Sequence, residues 1–379
     1  MELCDKTKCT GCQACRLSCP KKAISMTQTQ EKKSIPIINE SLCVDCGLCN
    51  RVCPVLNEPE FALPIKTYAA WTLNDEDRVR CASGGIATGL YRYILGKGGV
   101  IYGCDYDDTL KPIIRRSEDI KDISLFRTSK YVQSSVEDSY ASVKKDLENE
   151  RSVLYIGSPC QIDGLLHFLG KRKSYNNLYT VDIICHGVPP YQYLQEYVQA
   201  ISKGSKVTKV GFRGDHDFNF TLYHDDELIY NRTSWDDYYF SAFLEGVIYR
   251  DNCYECRYAR KERISDITIG DFWGIDKSTL KEQCKGRISV ILANTKKGLS
   301  LLDNIDGLYM EERTLEEAAR ENKQLNHPMP LHKDRAAFID NLDKGVYYAL
   351  KKTGIGKNIT FKNSVRSTPV YRLYKKVKK

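Results

Sequence analysis

From about residue 66 onward the chain alternates between two hydrophobic rhythms. Short apolar runs rich in β-branched and aromatic residues, "GVIYGCDY" (99–106), "SVLYIG" (152–157), "LYTVDIIC" (178–185), "KVTKVGFR" (206–213), "DITIGDFW" (266–273) and "ISVILAN" (288–294), predict strands. Between them, residues 85–96 and 136–148 carry the spacing of amphipathic helices. "FNFTLYHDDELIYNR" (218–232) turns at Asp225 and Asp226 and predicts a hairpin, so the sheet is expected to be mixed. Residues 1–57 follow neither rhythm. They form a compact unit in which Cys9 and Cys43 mark an internal repeat, and residues 54–64 with their three prolines read as a linker. The expected organisation is a small domain at 1–57, a linker at 58–65, a mixed-sheet α/β domain at 66–312, a helical region at 313–350 and a basic tail at 351–379.

Composition changes this picture in two places. With 379 residues and 42% hydrophobic content there is ample material for a buried core, and two or three domains are expected. No apolar run approaches the length of a membrane span, and "MELCDKTKCT" lacks the layout of a secretory signal, so no transmembrane segment and a cytoplasmic location are expected. The net charge of +8 belongs to the tail: residues 351–379 hold ten Lys or Arg and no Asp or Glu, which leaves −2 on the rest. No DNA partner is expected. The tail reads first as a solvated, mobile terminus, with an acidic partner, RNA or an anionic membrane surface as its other readings.

The sixteen cysteines carry the chemistry. Half lie within the first 53 residues at metal-ligand spacing, which fits a reducing interior better than a disulfide scaffold. Cys9, Cys12, Cys15, Cys19 with Pro20, and Cys43, Cys46, Cys49, Cys53 with Pro54, each match the bacterial two-cluster ferredoxin run, in which the fourth cysteine serves the other cluster. The expected ligand sets are therefore Cys9, Cys12, Cys15 and Cys53 for one [4Fe-4S] cluster, and Cys43, Cys46, Cys49 and Cys19 for its twin. Zinc is the competing occupant, but its sites usually come as separated C-x2-C pairs. Gly11 and Gly47 are expected to relieve crowding in the turns around the thiols.

The motifs further along, "CASGGIATGLYRYIL" (81–95), "SKYVQSS" (129–135), "YIGSPCQIDGLLHFL" (155–169), "DIICHGVP" (182–189), "GFRGD" (211–215) and "CYECRYARKERISDITIGDFWG" (253–274), occur in an order that resembles the coenzyme F420 hydrogenase/dehydrogenase beta-subunit family. That resemblance implies FAD and a [4Fe-4S] cluster bound by the α/β domain. It implies a third metal site from Cys160, Cys185, Cys253 and Cys256, for which zinc and plain core packing are the other readings. Ser83, Gly84 and Gly85 open a helix whose free amides suit a pyrophosphate, although "SGG" alone is more often a cap or turn. Lys130 and Arg213 are candidate FAD contacts. His186 is a candidate catalytic acid or base, or a hydrogen-bond donor to cluster or flavin, with a purely structural role equally open. Asp266 and Asp271 are read as ion-paired or capping by default. Arg257, Arg260, Lys261 and Arg263 are expected to offset the thiolates or to dock an acidic carrier. Cys4 and Cys284 are read as incidental thiols and Cys81 as a small core residue.

The fold class expected is therefore α+β or α/β, a ferredoxin-like two-cluster domain followed by a mixed-sheet flavin-binding domain. The expected function is an iron-sulfur flavoprotein oxidoreductase. It would pass single electrons from a ferredoxin or other redox protein to FAD, for two-electron reduction or reverse oxidation of a small-molecule substrate such as a deazaflavin. The alternative is a redox sensor or electron-transfer adaptor without substrate chemistry.

Overall fold

A computed structural model describes residues 3–170, 175–213 and 218–367. The N-terminal unit holds a two-stranded antiparallel hairpin, β1 (Ile24–Gln28) and β2 (Ser34–Ile38), and two short helices, Ala14–Ser18 and Leu48–Arg51, each starting inside a cysteine run. The two runs repeat the same backbone device. Gly11 and Gln13 in the first, and Asp45 and Gly47 in the second, all have φ between 50° and 71°, at the same offsets from the leading cysteine. Each nest thus places one glycine where a left-handed turn is needed and forces an ordinary side chain into the other.

The remaining strands are β3 (Lys66–Thr72), β4 (Val100–Tyr106), β5 (Pro112–Ser117), β6 (Val153–Gly157), β7 (Leu178–Ile183), β8 (Lys209–Gly211), β9 (Asn219–His224), β10 (Glu227–Thr233), β11 (Ile267–Asp271), β12 (Ser289–Ala293) and β13 (Leu308–Arg313). Eight of them form one sheet in the order β13-β3-β12-β11-β7-β6-β4-β5. Its centre, β11-β7-β6-β4, is parallel, and its flanks are antiparallel, so the sheet is mixed as expected. Alternate residues of the central strands go to opposite faces: Ile101 and Leu154 join one core, Val100, Tyr102, Val153 and Tyr155 the other. Burial on both faces explains why these strands read as continuous apolar runs.

The expected hairpin is β9-β10, and β8 completes a separate three-stranded sheet, short because only three residues of "KVTKVGFR" pair. This sheet packs on an aromatic core that includes Phe212, Phe220, Tyr239 and Phe240. The segment read as a basic tail departs from expectation. Gly354–Ser367 is a helix, Ile359 on it is 2% exposed, and it is tied to helix Tyr238–Leu244 and its approach by Tyr238 Oη to Thr360 Oγ1 at 3.0 Å and Arg366 to Asp236 at 2.8 Å. Its basic residues mask its apolar anchors, so a charge count reads as a mobile terminus what packing makes a docked helix. Residues 368–379 of that reading lie outside the described residues. Among the described residues no helix is long and apolar enough to cross a membrane.

Candidate functional site

Three spaces are lined by thiols, and the first nest shares Thr10, Gly11 and Val55 with the wall of the largest. Cys9, Cys12, Cys15 and Cys53 border the first, and Cys19, Cys43, Cys46 and Cys49 border the second, so the fourth cysteine of each run crosses to the other nest. The nests differ in setting. A Cβ at Gly11 would lie 2.6 Å from Gln133 Nε2, whereas a Cβ at Gly47 would meet nothing within 4 Å. The first nest faces the α/β body; the second faces solvent, with Cys46 exposed.

Sequence reasoning missed a fifth thiol. Cys4 also borders the first space, beside Cys53 and Cys9. The neighbouring Cys4 thiol is the leading influence lowering Cys53 and Cys9, while burial pushes Cys15 up to about 12. No spacing rule includes Cys4, because it precedes the nest and reaches it only through the fold of the N-terminal segment.

The third group stands where the parallel strands end. Cys160 follows β6 at the start of helix Pro159–Leu169, capped by Ser158 and Gln161, and Cys185 follows the adjacent β7. Cys253 and Cys256 approach from the short helix Asp251–Tyr254 and the turn after it. Burial raises all four thiols, Cys160 to about 11 and Cys253 to about 12, and the neighbouring sulfurs of the set raise Cys185 further. All four border one large cavity of about 520 Å³. Crevices outside the carboxyl ends of parallel strands are the usual place for a ligand in such sheets, and this volume is in the range of cofactor sites.

The same cavity takes in most of the other candidates. Ser83, Gly85 and the first residues of helix Ile86–Gly96 line it, as do Lys130, Arg213 and His186. Gly84 does not. Its amide donates to Ser289 Oγ at 2.9 Å, and a Cβ there would lie 2.5 Å from the Ala70 carbonyl, so this glycine serves close packing of the helix start on β3 and β12. Gly85 supplies the left-handed turn into the helix at φ 86°. Lys130 is tied by Nζ to the carbonyls of Leu125 (2.9 Å) and Arg127 (3.1 Å), and burial lowers its pKa.

Arg213 pairs with Asp271 at 2.6 and 3.3 Å, and the guanidinium lies 4.4 Å from the centre of the Phe218 ring. Its Nε is buried without a partner, as is the Nε of Arg127, which also lines the cavity. Burial lowers the pKa of His186, the nearby Asp271 opposing and Arg213 assisting, which favours the neutral imidazole. Asp266 has the structural role read as its default: it accepts from Thr180 and Thr295 and pairs with Lys297 at 3.0 Å.

The basic stretch after Cys256 is not an open docking patch. Arg263 is 3% exposed and paired with Asp182 at 2.6 Å, Arg260 pairs with Glu262 and stacks on Phe61, and Arg257 donates to the carbonyls of Pro54 (3.0 Å) and Val55 (3.3 Å). Cys81 touches Thr88 Oγ1 at 3.3 Å beside the helix start and lines the cavity. Cys284 accepts from Arg78 at 2.8 Å.

Comparison with known proteins bears on both parts. Residues 150–318 match the model that describes the carboxy-terminal part of the coenzyme F420 hydrogenase/dehydrogenase beta subunit. They belong to the coenzyme F420 hydrogenase/dehydrogenase beta-subunit family. Residues 8–57 match a 4Fe-4S dicluster domain. The beta-subunit domain takes in Cys160, Cys185, Cys253 and Cys256, and the dicluster domain takes in all eight cysteines of the two nests. The chain is 27% identical over 170 residues to a coenzyme F420-dependent sulfite reductase of Methanocaldococcus jannaschii, a stretch covering 43% of this chain and 26% of that protein. It is 23% identical over 165 residues to one of the subunits of the F(420)H(2) dehydrogenase of Methanosarcina mazei, covering 40% and 46% respectively. The chain thus spans less than half the length of either relative. Among solved structures, a chain of the F420-reducing [NiFe] hydrogenase complex from Methanosarcina barkeri matches with a TM-score of 0.41 at 17% identity, covering 78% of this chain and 92% of that one.

Proposed function

We propose that the protein is an iron-sulfur flavoprotein oxidoreductase that takes single electrons from a ferredoxin-type carrier and delivers them in pairs to an organic substrate, a deazaflavin being the class suggested by its relatives. The observation that carries this reading is that the third thiol set and a cofactor-sized cavity share one wall. When bound, [4Fe-4S] clusters move one electron at a time and FAD accepts one or two, which couples the carrier to hydride-equivalent chemistry.

The residues present suit these groups. In the two nests the thiols ring a void, and three of each four come from one closely spaced run, which suits a multi-iron cluster better than the separated pairs usual for tetrahedral zinc. The two unpartnered arginine Nε groups and the amides at the start of helix Ile86–Gly96 offer donors to an anionic cofactor. Arg213, held by Asp271, orients a fixed positive fork into the cavity, and neutral His186 beside it can accept or donate a proton at its ring nitrogens.

Iron, sulfide and flavin quantified on one anaerobic sample test the reading. About twelve irons and one FAD per chain are expected, three four-iron clusters being the basis. Intact clusters with flavin near zero would favour the electron-transfer adaptor instead, and a colourless preparation carrying zinc would end both.

A further inference from the structure

Arg250 is among the largest fully buried side chains of the described residues, 1% exposed, and its surroundings are unusual for a cation. Its acceptors are all neutral: the carbonyl of Cys9 at 2.9 Å, the carbonyl of Ser34 at 3.3 and 3.4 Å, Gln133 Oε1 at 2.8 Å and Asn252 Oδ1 at 3.2 Å. Among the described residues no carboxylate pairs with it. Asp251, its neighbour in sequence, is committed to Lys33 and Arg335. Burying a guanidinium without a counter-charge is costly, so such groups persist where a negative charge answers them.

The negative charge available is that of the thiolates. Cys9 of the first nest is bonded to Arg250 through its own carbonyl, and Cys253 of the third set follows three residues later on the same short helix. The Cys253 amide in turn donates to the Arg250 carbonyl at 3.0 Å, so Arg250 is hydrogen-bonded to a cysteine of each of two different sets. One side chain therefore stands between the first nest and the third set, and its hydrogen bonds join the N-terminal unit to the α/β body.

We infer that Arg250 is the shared counter-cation of the first-nest cluster and the third-site cluster, raising both reduction potentials and holding the two sites together as consecutive stations of one relay. This rests on the iron-sulfur reading above. It also gives the relay a direction in space: the solvent-facing second nest is the outer station, the first nest the inner one, and the third site borders the cavity. Positive charge near a cluster favours its more negative, reduced form, and net charge and hydrogen bonding are recognised determinants of cluster potential. Arg250 is a positioning residue, since it touches ligand backbone and charge but no reacting atom.

The test uses the full-length chain reconstituted without air, as wild type, Arg250→Lys and Arg250→Gln, with iron and sulfide counted and each cluster's midpoint potential followed by EPR-monitored redox titration. Expected in Arg250→Gln is a downward shift of two of the three midpoint potentials, with the third unmoved, and recovery of most of that shift in Arg250→Lys, which keeps the charge. If Arg250→Gln holds its iron and all potentials stay at wild-type values, the inference is wrong. A shift that Arg250→Lys fails to relieve also overturns it, because the effect would then be one of shape. If Arg250→Gln loses iron, Arg250→Lys against wild type decides alone: clusters kept at near wild-type potentials support the role of charge, and clusters lost despite the charge refute it. Fewer than twelve irons in the wild type would instead count against the reading of the sites, and is seen before any variant is compared.

Discussion

Cys12 packs its sulfur directly against the backbone of Gly164: a Cβ built on this glycine would lie 3.0 Å from Cys12 Sγ, 2.9 Å from Cys12 Cβ and 2.9 Å from the Tyr140 hydroxyl. Gly164 sits one turn beyond Cys160 on helix Pro159–Leu169, so a single helix carries a thiol of the third set and the seat of the first nest. Gly164→Val should push the N-terminal unit off this helix. Overpacking of this kind costs about 1–3 kcal/mol, and the variant should show a lower melting temperature and impaired iron uptake at the first nest. Wild-type melting and iron content would show that the contact does not matter.

Cys4 is expected to tune the first nest without being one of its four crossing thiols. Cys4→Ala removes the thiol that lies beside Cys53 and Cys9 and could donate to a cluster sulfur. Hydrogen bonds to cluster sulfurs raise the potential, so the variant should keep its iron and show one midpoint potential lowered. Loss of four irons would make Cys4 a ligand in its own right.

The Arg213 to Asp271 pair predicts an asymmetric pair of variants. Arg213→Met leaves Asp271 without its partner beside His186, and breaking such a partly buried pair costs on the order of 3 kcal/mol. Flavin content after purification should fall well below one per chain in this variant. Arg213→Lys keeps the charge but not the fork, and should retain flavin more weakly than wild type. Full flavin occupancy in both would remove Arg213 from the cofactor site.

Asp237 supplies a pH dependence away from every cysteine. It is fully buried, and burial raises its pKa to about 6 in spite of bonds from the Phe240 amide and the hydroxyls of Tyr197 and Tyr230. A carboxyl whose folded pKa exceeds its unfolded value stabilises the fold below the unfolded pKa, and that contribution is lost as pH rises through the folded pKa. Asp237→Asn should therefore be stabilised relative to wild type on going from about pH 4 to about pH 7, by on the order of 3 kcal/mol. Urea unfolding of both chains at each pH measures the difference, and a constant difference would refute the assignment.

The helix Gly354–Ser367 is expected to contribute to stability. Ile359→Ala removes a side chain that is 2% exposed and should cost about 2–4 kcal/mol by thermal or urea unfolding. A truncation after Thr353 should lower stability at least as much. If both variants unfold as wild type does, the helix is not docked in solution.

Much of this protein is readable locally. The cysteine runs announce their chemistry because three ligands within seven residues need only a tight turn, and the positive-φ positions recur at matching offsets. Strands β4, β6, β7, β11 and β12 stand out because burial on both faces forces continuous apolar runs. Strand β13, "LYMEER", escapes a local reading because it carries three charges, whereas helix Pro159–Leu169 does carry a local start signal in Ser158, Pro159 and Gln161 that the apolar rhythm alone passes over. The tail reading fails for the opposite reason, since ten cations outweigh one buried isoleucine, Ile359, and one half-buried, Ile355, in any charge count.

What sequence alone determined, then, was the identity of the thiols in each run and the mixed α/β class, because spacing and period are properties of neighbouring residues. Tertiary structure alone decided that Cys4 joins the first nest, that Gly84 packs while Gly85 lines the cavity, and that Arg250 and Gly164 lie between the first nest and the third set. The Arg250 and Gly164 relationships join residues more than a hundred positions apart, Cys4 reaches its nest through the fold of the N-terminal segment, and the two glycines differ in which way the backbone faces. Packing sets them, and no local pattern records it.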